Sequence, residues 1–248
     1  MKLKIVLLLP LLGLLSSCSS PKWVAPENPK PQIILTEARF DFNNQKYQTS
    51  LLKYIWINQH SLKYDYNFVG IRNSEALREW YELGDKYSLA LEKFHEFRNS
   101  AKQQVKLKQN MTQNFADFKA FNDLSGKQLE TIDLFLWVEE NTPFIVDSIH
   151  FIAKYDLFDA GRYDILNKYI KPNMDYRFAE ENYTMMLNYN KDQTDNWNES
   201  NFIKEIHLLV TVLKNNNRLE EAEQIVSRAL LVANSPGFKA SMNSILSE

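Results

Sequence analysis

Two pairs of a carboxylate and a histidine in this chain have the spacing of metal ligands on a helix. Glu92 precedes His95 by three residues and Asp147 precedes His150 by three residues, so each pair would lie on one helical face. Two such pairs together with two further carboxylates form the ligand set of di-iron helical bundles. A metal-binding or enzymatic helical protein is therefore one alternative for this chain. The carboxylates available to complete the set are Glu82 and Glu139.

The distribution of glycine and cysteine argues against most other catalytic motifs. The six glycines are well separated, which excludes a phosphate-binding glycine loop, a dinucleotide fingerprint and a nucleophile elbow. A single cysteine excludes an internal disulfide, a CxxC pair and a Cys-rich zinc site. Aspartate is also unusual in the di-iron motif. We therefore expect no catalytic residues, no bound metal and no cofactor.

The N-terminal residues have the features of a lipoprotein signal peptide. Two lysines precede an apolar run over residues 5–15, which is too short to span a bilayer comfortably. The Leu-Ser-Ser-Cys sequence at 15–18 resembles the lipobox of bacterial lipoproteins. The resemblance implies cleavage between Ser17 and Cys18 and acylation of Cys18. We expect a signal peptide over residues 1–17, with an ordinary secretory signal as the alternative.

Acylation would determine both the location and the partners of the mature chain. Acyl chains would hold it at the membrane, and Ser19 rather than an aspartate favours the outer membrane, facing the periplasm, in a Gram-negative host. Cleavage removes two lysines and leaves 27 basic residues against 31 acidic ones, a formal charge of −4. Because the chain is mildly acidic and has no cluster of lysine and arginine, nucleic acid is not an expected partner.

Residues 18–32 are rich in proline and predict an extended tether. Spaced prolines remove amide donors and favour extended, polyproline-like chain. We expect this semi-rigid segment to hold a folded domain, residues 33–248, off the membrane. Four of the eight prolines lie in the segment, at Pro21, Pro26, Pro29 and Pro31.

Apolar residues recur at spacings of three and four through the rest of the chain, which predicts an all-α fold. Residues 208–213 are β-branched enough to suggest a strand, but their flanks have a helical pattern. We expect Trp56, Trp80 and Trp137 in the core, and Trp197 at the surface. The stripes are Leu51, Leu52, Ile55 and Trp56; Ala90, Leu91, Phe94 and Phe97; Ile145, Ile149, Ile152 and Ala153; and Ile206, Leu209, Val210 and Leu213.

The C-terminal stripe belongs to a helical hairpin that resembles a tetratricopeptide repeat (TPR). Residues 215–217 form the expected turn, and Ala222, Val226 and Ala229 share one face of the second helix. The resemblance implies TPR-like α-α hairpins that form a short right-handed solenoid. The small residue of each second helix serves as an anchor, and the anchors recur at irregular intervals. They are Ser50, Ala90, Thr131, Leu166 and Ala222.

The string WYELGDKY at residues 80–87 permits two registers. As the opening of a repeat's first helix it would bury Glu96 and Ser100, which costs desolvation without partners. We prefer a turn at Gly84 that buries Ala90 and Phe94, which places Glu92 and His95 on the outward face.

The span 42–170 also resembles a group of uncharacterised bacterial proteins. The shared features are an aromatic-rich first hairpin at 54–65, a Gly-x-Arg link at 70–72, the WYELGDKY string and an AGRY turn at 160–163. The resemblance implies a helical-repeat fold and no assigned activity.

We predict two protein-binding faces, because helical repeats usually bind along the concave face formed by their first helices. Opposed charge on the two faces could set the register of a bound chain, and two solvated helix faces are the alternative. The expected function is a lipid-anchored scaffold that binds another envelope protein. A glycan-binding envelope protein is a further alternative. The acidic face contains Glu75, Glu79 and Glu82, and the basic face contains Lys204, His207 and Lys214.

Overall fold

The structure is a computed structural model that describes residues 23–189 and 197–247, except for the side chains of Tyr189 and Trp197. The described residues do not include the predicted signal peptide, its cleavage site at Ser17 or the predicted acylation site at Cys18. The predicted exposure of Trp197 concerns a side chain that also lies outside the described part of the structure. Within those residues the chain divides into two compact units, and the division falls between Leu91 and Glu92.

Thirteen α-helices and two short 3₁₀ helices make up the described residues, which contain no strand. The prediction of an all-α fold is confirmed, and residues 208–213 are helical. The 3₁₀ helices span Tyr66–Phe68 and Pro143–Ile145. The α-helices are α1 Pro31–Asn43, α2 Tyr47–Tyr64, α3 Val69–Asn73, α4 Glu75–Leu83, α5 Ser88–Lys106, α6 Met111–Ser125, α7 Gln128–Asn141, α8 Val146–Asp159, α9 Tyr163–Tyr169, α10 Pro172–Tyr189, α11 Trp197–Asn215, α12 Leu219–Val232 and α13 Pro236–Ser247.

Four helical hairpins share one turn, in which a residue with positive φ is followed by a lysine or an arginine. The backbone N–H of the basic residue donates to the carbonyl five residues earlier, at 2.8–2.9 Å, which is the bond of a Schellman motif. The second helix then begins at the next residue. The positive-φ residues and their basic followers are Gln45 and Lys46, Gly126 and Lys127, Gly161 and Arg162, and Asn217 and Arg218.

The fourth residue of the second helix is fully buried in each of these four hairpins. These positions are four of the anchors expected from the sequence: Ser50, Thr131, Leu166 and Ala222 are all 0% exposed. Two of them are polar and hydrogen-bonded. The Ser50 hydroxyl donates to the Ala38 carbonyl at 2.9 Å, and the Thr131 hydroxyl accepts from the Asn122 side-chain amide at 2.9 Å. The shared turn therefore places the same position of each second helix in the interior.

The hairpin of α4 and α5 has a different turn, and it confirms the register that buries Ala90 and Phe94. Helix α4 ends at Leu83, α5 begins at Ser88, and Ala90 and Phe94 are both 0% exposed, whereas Glu96 and Ser100 are exposed. The Trp80 indole N–H donates to the Ala90 carbonyl at 2.9 Å across this hairpin.

Unit 1 contains α1 to α4, and its α2 helix packs on a different face from the one expected. The buried residues of α2 include Ser50, Leu51, Tyr54 and Ile57, while Leu52, Ile55 and Trp56 are only partly buried. The reason is that two polar residues of the interior face, Ser50 and Lys53, bond to residues of α1. Lys53, for example, is 6% exposed and donates to the Asp41 carboxylate at 2.7 Å.

The last part of the predicted tether belongs to unit 1. Pro29 and Pro31 are buried, and α1 begins at Pro31, where proline suits the first turn of a helix because it needs no amide donor.

Unit 2 has a continuous apolar core that runs from α5 to α13. Helix α11 is central to it and packs against α9, α10, α12 and α13. The predicted stripe of Ile206, Leu209, Val210 and Leu213 is fully buried there. The burial prediction holds for Trp80, which is 1% exposed, while Trp137 is partly buried at the edge of the unit 2 core.

Candidate functional site

The predicted acidic face on α4 is largely neutralised by residues of α1 and α2. Arg39 contacts Glu75 at 3.0 Å and Glu79 at 2.8 Å, and the Tyr54 hydroxyl donates to Glu79 at 3.1 Å. Burial and the Glu79 charge raise the pKa of Tyr54, so its hydroxyl keeps its proton. Glu82 makes a longer ion pair with Arg78, at 3.7 Å, and both of these side chains are more than half exposed. Of the three carboxylates, Glu82 is therefore the most available to a partner.

The predicted basic residues of α11 lie in unit 2, where Lys204 is the exposed member. Its ammonium group lies 3.8 Å from the centre of the Tyr155 ring, a cation–π contact. The next residue, Glu205, accepts from Lys154 at 2.7 Å and from the Tyr155 hydroxyl at 2.6 Å. Lys204 thus packs on a compact surface cluster in which Lys154 and the Tyr155 hydroxyl both bind the Glu205 carboxylate.

His207 and Lys214 line one cleft of about 470 Å³ in unit 2. The ring centres of His207 and Phe158 lie 5.4 Å apart in an edge-to-face arrangement. Lys214 donates to the carbonyls of Ile245 and Leu246 at 3.1 and 2.6 Å. Lys214 therefore caps α13 by donating hydrogen bonds to carbonyls in its last turn, which have no partner within the helix. The sequence pattern did not predict this capping role. The cleft is lined by Phe158, Tyr163, His207, Thr211, Lys214, Asn215 and Ile245.

The carboxylate–histidine pairs are not assembled into a metal site. Across residues 23–189 and 197–247, no group of three or more histidine, cysteine, aspartate or glutamate side chains could hold a metal ion. The Asp147 side chain is 70% exposed and pairs with Lys171 at 3.2 Å. His150 instead packs inward, with its ring centre 5.0 Å from that of Tyr169. In the same region Glu139 accepts from Lys168 and from the Tyr169 hydroxyl.

Both histidines of these pairs favour the neutral form. Burial, with a contribution from Lys154, lowers the pKa of His150 to about 4, and its buried Nε2 has no hydrogen-bond partner. Burial, followed by the charges of Lys127 and Arg98, lowers the pKa of His95. The His150 ring packs against Phe135 and Tyr169, and the His95 ring packs against Phe94.

A cavity of about 310 Å³ between α10 and α11 was not expected from the sequence. Asn198 and Asn201 line it together with Glu205, at spacings of three and four that place them on one face of α11. Asn198 is 7% exposed, and its Oδ1 has no hydrogen-bond partner. The spacing is visible in the sequence, but polar residues on a helix normally indicate solvent, so the pattern alone predicts no cavity.

Comparisons with known proteins identify no relative of this chain. No family model, no curated protein and no solved structure matches it. In the part of the chain that the structure describes, no helix has both the length and the apolar character needed to cross a bilayer.

Proposed function

We propose that this protein is a lipid-anchored cell-envelope scaffold that binds another envelope protein through TPR-like helical hairpins. In this proposal Cys18 carries the acyl chains, the chain faces the periplasm from the outer membrane, and the hairpins stack as a short solenoid.

The recurrence of one turn and one buried anchor position in four hairpins is the observation that supports the proposal most strongly. Repeat proteins are built from one supersecondary unit whose seam position recurs, and stacked units present extended surfaces to partners. A turn whose geometry and basic residue recur across hairpins of different sequence is typical of such a unit. Two of the candidate metal ligands, Glu139 and Asp147, are ion-paired with lysines, which also favours a binding role over catalysis.

Two positions are best suited to contact a partner. Lys204 is exposed on α11 in the helix that also supplies His207 to the cleft, and Glu82 is the least neutralised residue of the acidic face. Glu75 and Glu79 serve the proposal less directly, because Arg39 already binds them.

Photocrosslinking in living cells tests the proposed binding face. A photoreactive amino acid replaces Lys204 in one variant and Glu82 in a second, and the matched control replaces Lys239, another exposed lysine of unit 2 on α13. We expect a discrete crosslinked product of defined mass from position 204 and none from position 239. The same products from both positions, or no product from either position 204 or position 82, would contradict the proposed face.

A further inference from the structure

Helix α2 carries a row of aromatic side chains on its outer face. The Trp56 ring centre lies 5.9 Å from that of His60 and 5.7 Å from that of Tyr64, with which it is stacked. His60 is exposed and Tyr64 is 47% exposed. Lys63 lies 5.6 Å from the centre of the Tyr64 ring. We call Trp56, His60 and Tyr64 the aromatic row.

The first described residue, Trp23, packs against Lys53 of α2. The Lys53 ammonium is 5.8 Å from the centre of the Trp23 ring, and Lys53 precedes Trp56 by one helical turn. Lys53 is itself held by Asp41 at 2.7 Å and by Glu37 at 3.1 Å. Trp23 therefore packs over a cluster of one lysine and two carboxylates, and its contact with Lys53 lies one helical turn from Trp56.

Helix α1 adds exposed apolar side chains on the side that meets Lys53. Ile33 and Phe40 flank Glu37 at helical spacing, and they are 53% and 63% exposed. Arg39, which binds α4, follows Glu37 by two residues and so projects from the opposite side of α1. The apolar surface and the acidic face of unit 1 are thus on different sides.

The distance along the chain from Cys18 to Trp23 limits how far unit 1 can lie from an acyl anchor. Five residues span at most about 18 Å when fully extended. Tryptophan and tyrosine with neighbouring lysines are the residues that favour the headgroup level of a bilayer. An anchor on so short a connection would bring the surface around Trp23 to that level.

We propose that the aromatic row, with Trp23, Ile33 and Phe40, lies against the lipid surface and fixes the orientation of unit 1 on the membrane. This inference rests on the acylation of Cys18 in the proposed function. In this orientation unit 1 does not rotate freely on its tether, and its acidic face, including Glu82, points away from the bilayer.

Site-specific fluorescence on the acylated full-length protein tests this orientation. Cys18 is the only cysteine, and acylation blocks its thiol, so one introduced cysteine provides a unique labelling site. We would label His60→Cys in the aromatic row and, as the control, Arg78→Cys on α4, whose side chain is 58% exposed. Each protein is reconstituted into vesicles of phosphatidylethanolamine and phosphatidylglycerol, with and without a lipid that carries a quencher at headgroup depth.

We expect the label at position 60 to shift to the blue and lose most of its emission to the quencher, while the label at position 78 keeps its emission. The double variant Trp56→Ser/Tyr64→Ser should weaken quenching at position 60 without releasing the protein from vesicles. Equal quenching at both positions, or none at position 60, would overturn the inference. Intact-protein mass spectrometry measures acylation independently of the fluorescence. An unacylated protein would contradict the proposed anchor, whereas an acylated protein without quenching at position 60 would contradict the orientation alone.

Discussion

The close approach of α4 and α5 at Gly84 makes a quantitative prediction for the substitution Gly84→Ala. A Cβ atom at Gly84 would lie 2.9 Å from the Leu91 Cβ and 2.8 Å from the Tyr81 carbonyl oxygen. Both atoms are fixed by backbone, and the Tyr81 carbonyl also accepts from the Gly84 N–H at 2.9 Å. Gly84 has φ −57° and ψ −30°, which alanine adopts freely, so the penalty comes from contact alone. Overpacking of this kind costs about 1–3 kcal/mol.

Gly70→Ala is the matched control in the same unit. Gly70 lies in helix α3, and a Cβ there would meet no atom within 4 Å. Alanine is the better helix former, so this substitution should raise the free energy of unfolding by about 0.5–1 kcal/mol. Urea denaturation followed by circular dichroism measures both variants against the parent. If Gly84→Ala proves neutral or stabilising, the close contact between α4 and α5 is wrong.

Three further predictions follow from the turns and the buried polar groups. Because Gln45 and Gly161 both have positive φ, Gln45→Gly should stabilise the protein by about 0.5–1 kcal/mol and Gly161→Ala should destabilise it by about 1 kcal/mol. Urea titrations that show a change of the same sign for both variants would contradict the shared turn. Thr131→Val removes the buried acceptor of Asn122 and should cost about 1–3 kcal/mol in the same assay, whereas an unchanged unfolding midpoint would show that this bond contributes nothing. The folded state keeps His150 neutral, so as the pH falls from 6.5 to about 4 the unfolded chain binds this proton first. The free energy of unfolding should therefore decrease over that pH range by about 2 kcal/mol, after allowance for the partial exposure of the ring. The variant His150→Phe should lose less free energy of unfolding between those pH values. The same pH profile in the variant and the parent would refute the assignment of this loss to His150.

The hairpins were predictable from sequence because their seams are marked by local patterns. The anchors Ser50, Thr131 and Ala222 are the small residues at the start of apolar stripes, and Gly161 marks a turn that needs positive φ. The outer face of α2 was not predictable in the same way. Its interior carries Lys53, whose burial depends on carboxylates of α1, and hydrophobic periodicity cannot anticipate an ion pair between two helices.

The candidate site was predictable only in part, because its electrostatics depend on residues far apart in sequence. Glu79 is 40 residues from Arg39, which binds it, and Lys214 is 31 residues from the Ile245 carbonyl that it satisfies. Each residue type was identified correctly as charged and helical, but its partner follows from the packing of helices. A sequence pattern gives the face of one helix and cannot give the neighbour that covers it.

The acylation state of Cys18 is the most direct test of the account, since both the proposed function and the orientation of unit 1 depend on it. Mass spectrometry of the N-terminal peptide from membrane-extracted protein should show a chain that begins at Cys18 and carries acyl groups. The variant Cys18→Ser should be released from the membrane fraction. A mature chain with an unmodified Cys18, or with residues 1–17 still attached in the soluble fraction, would contradict the lipid-anchored scaffold.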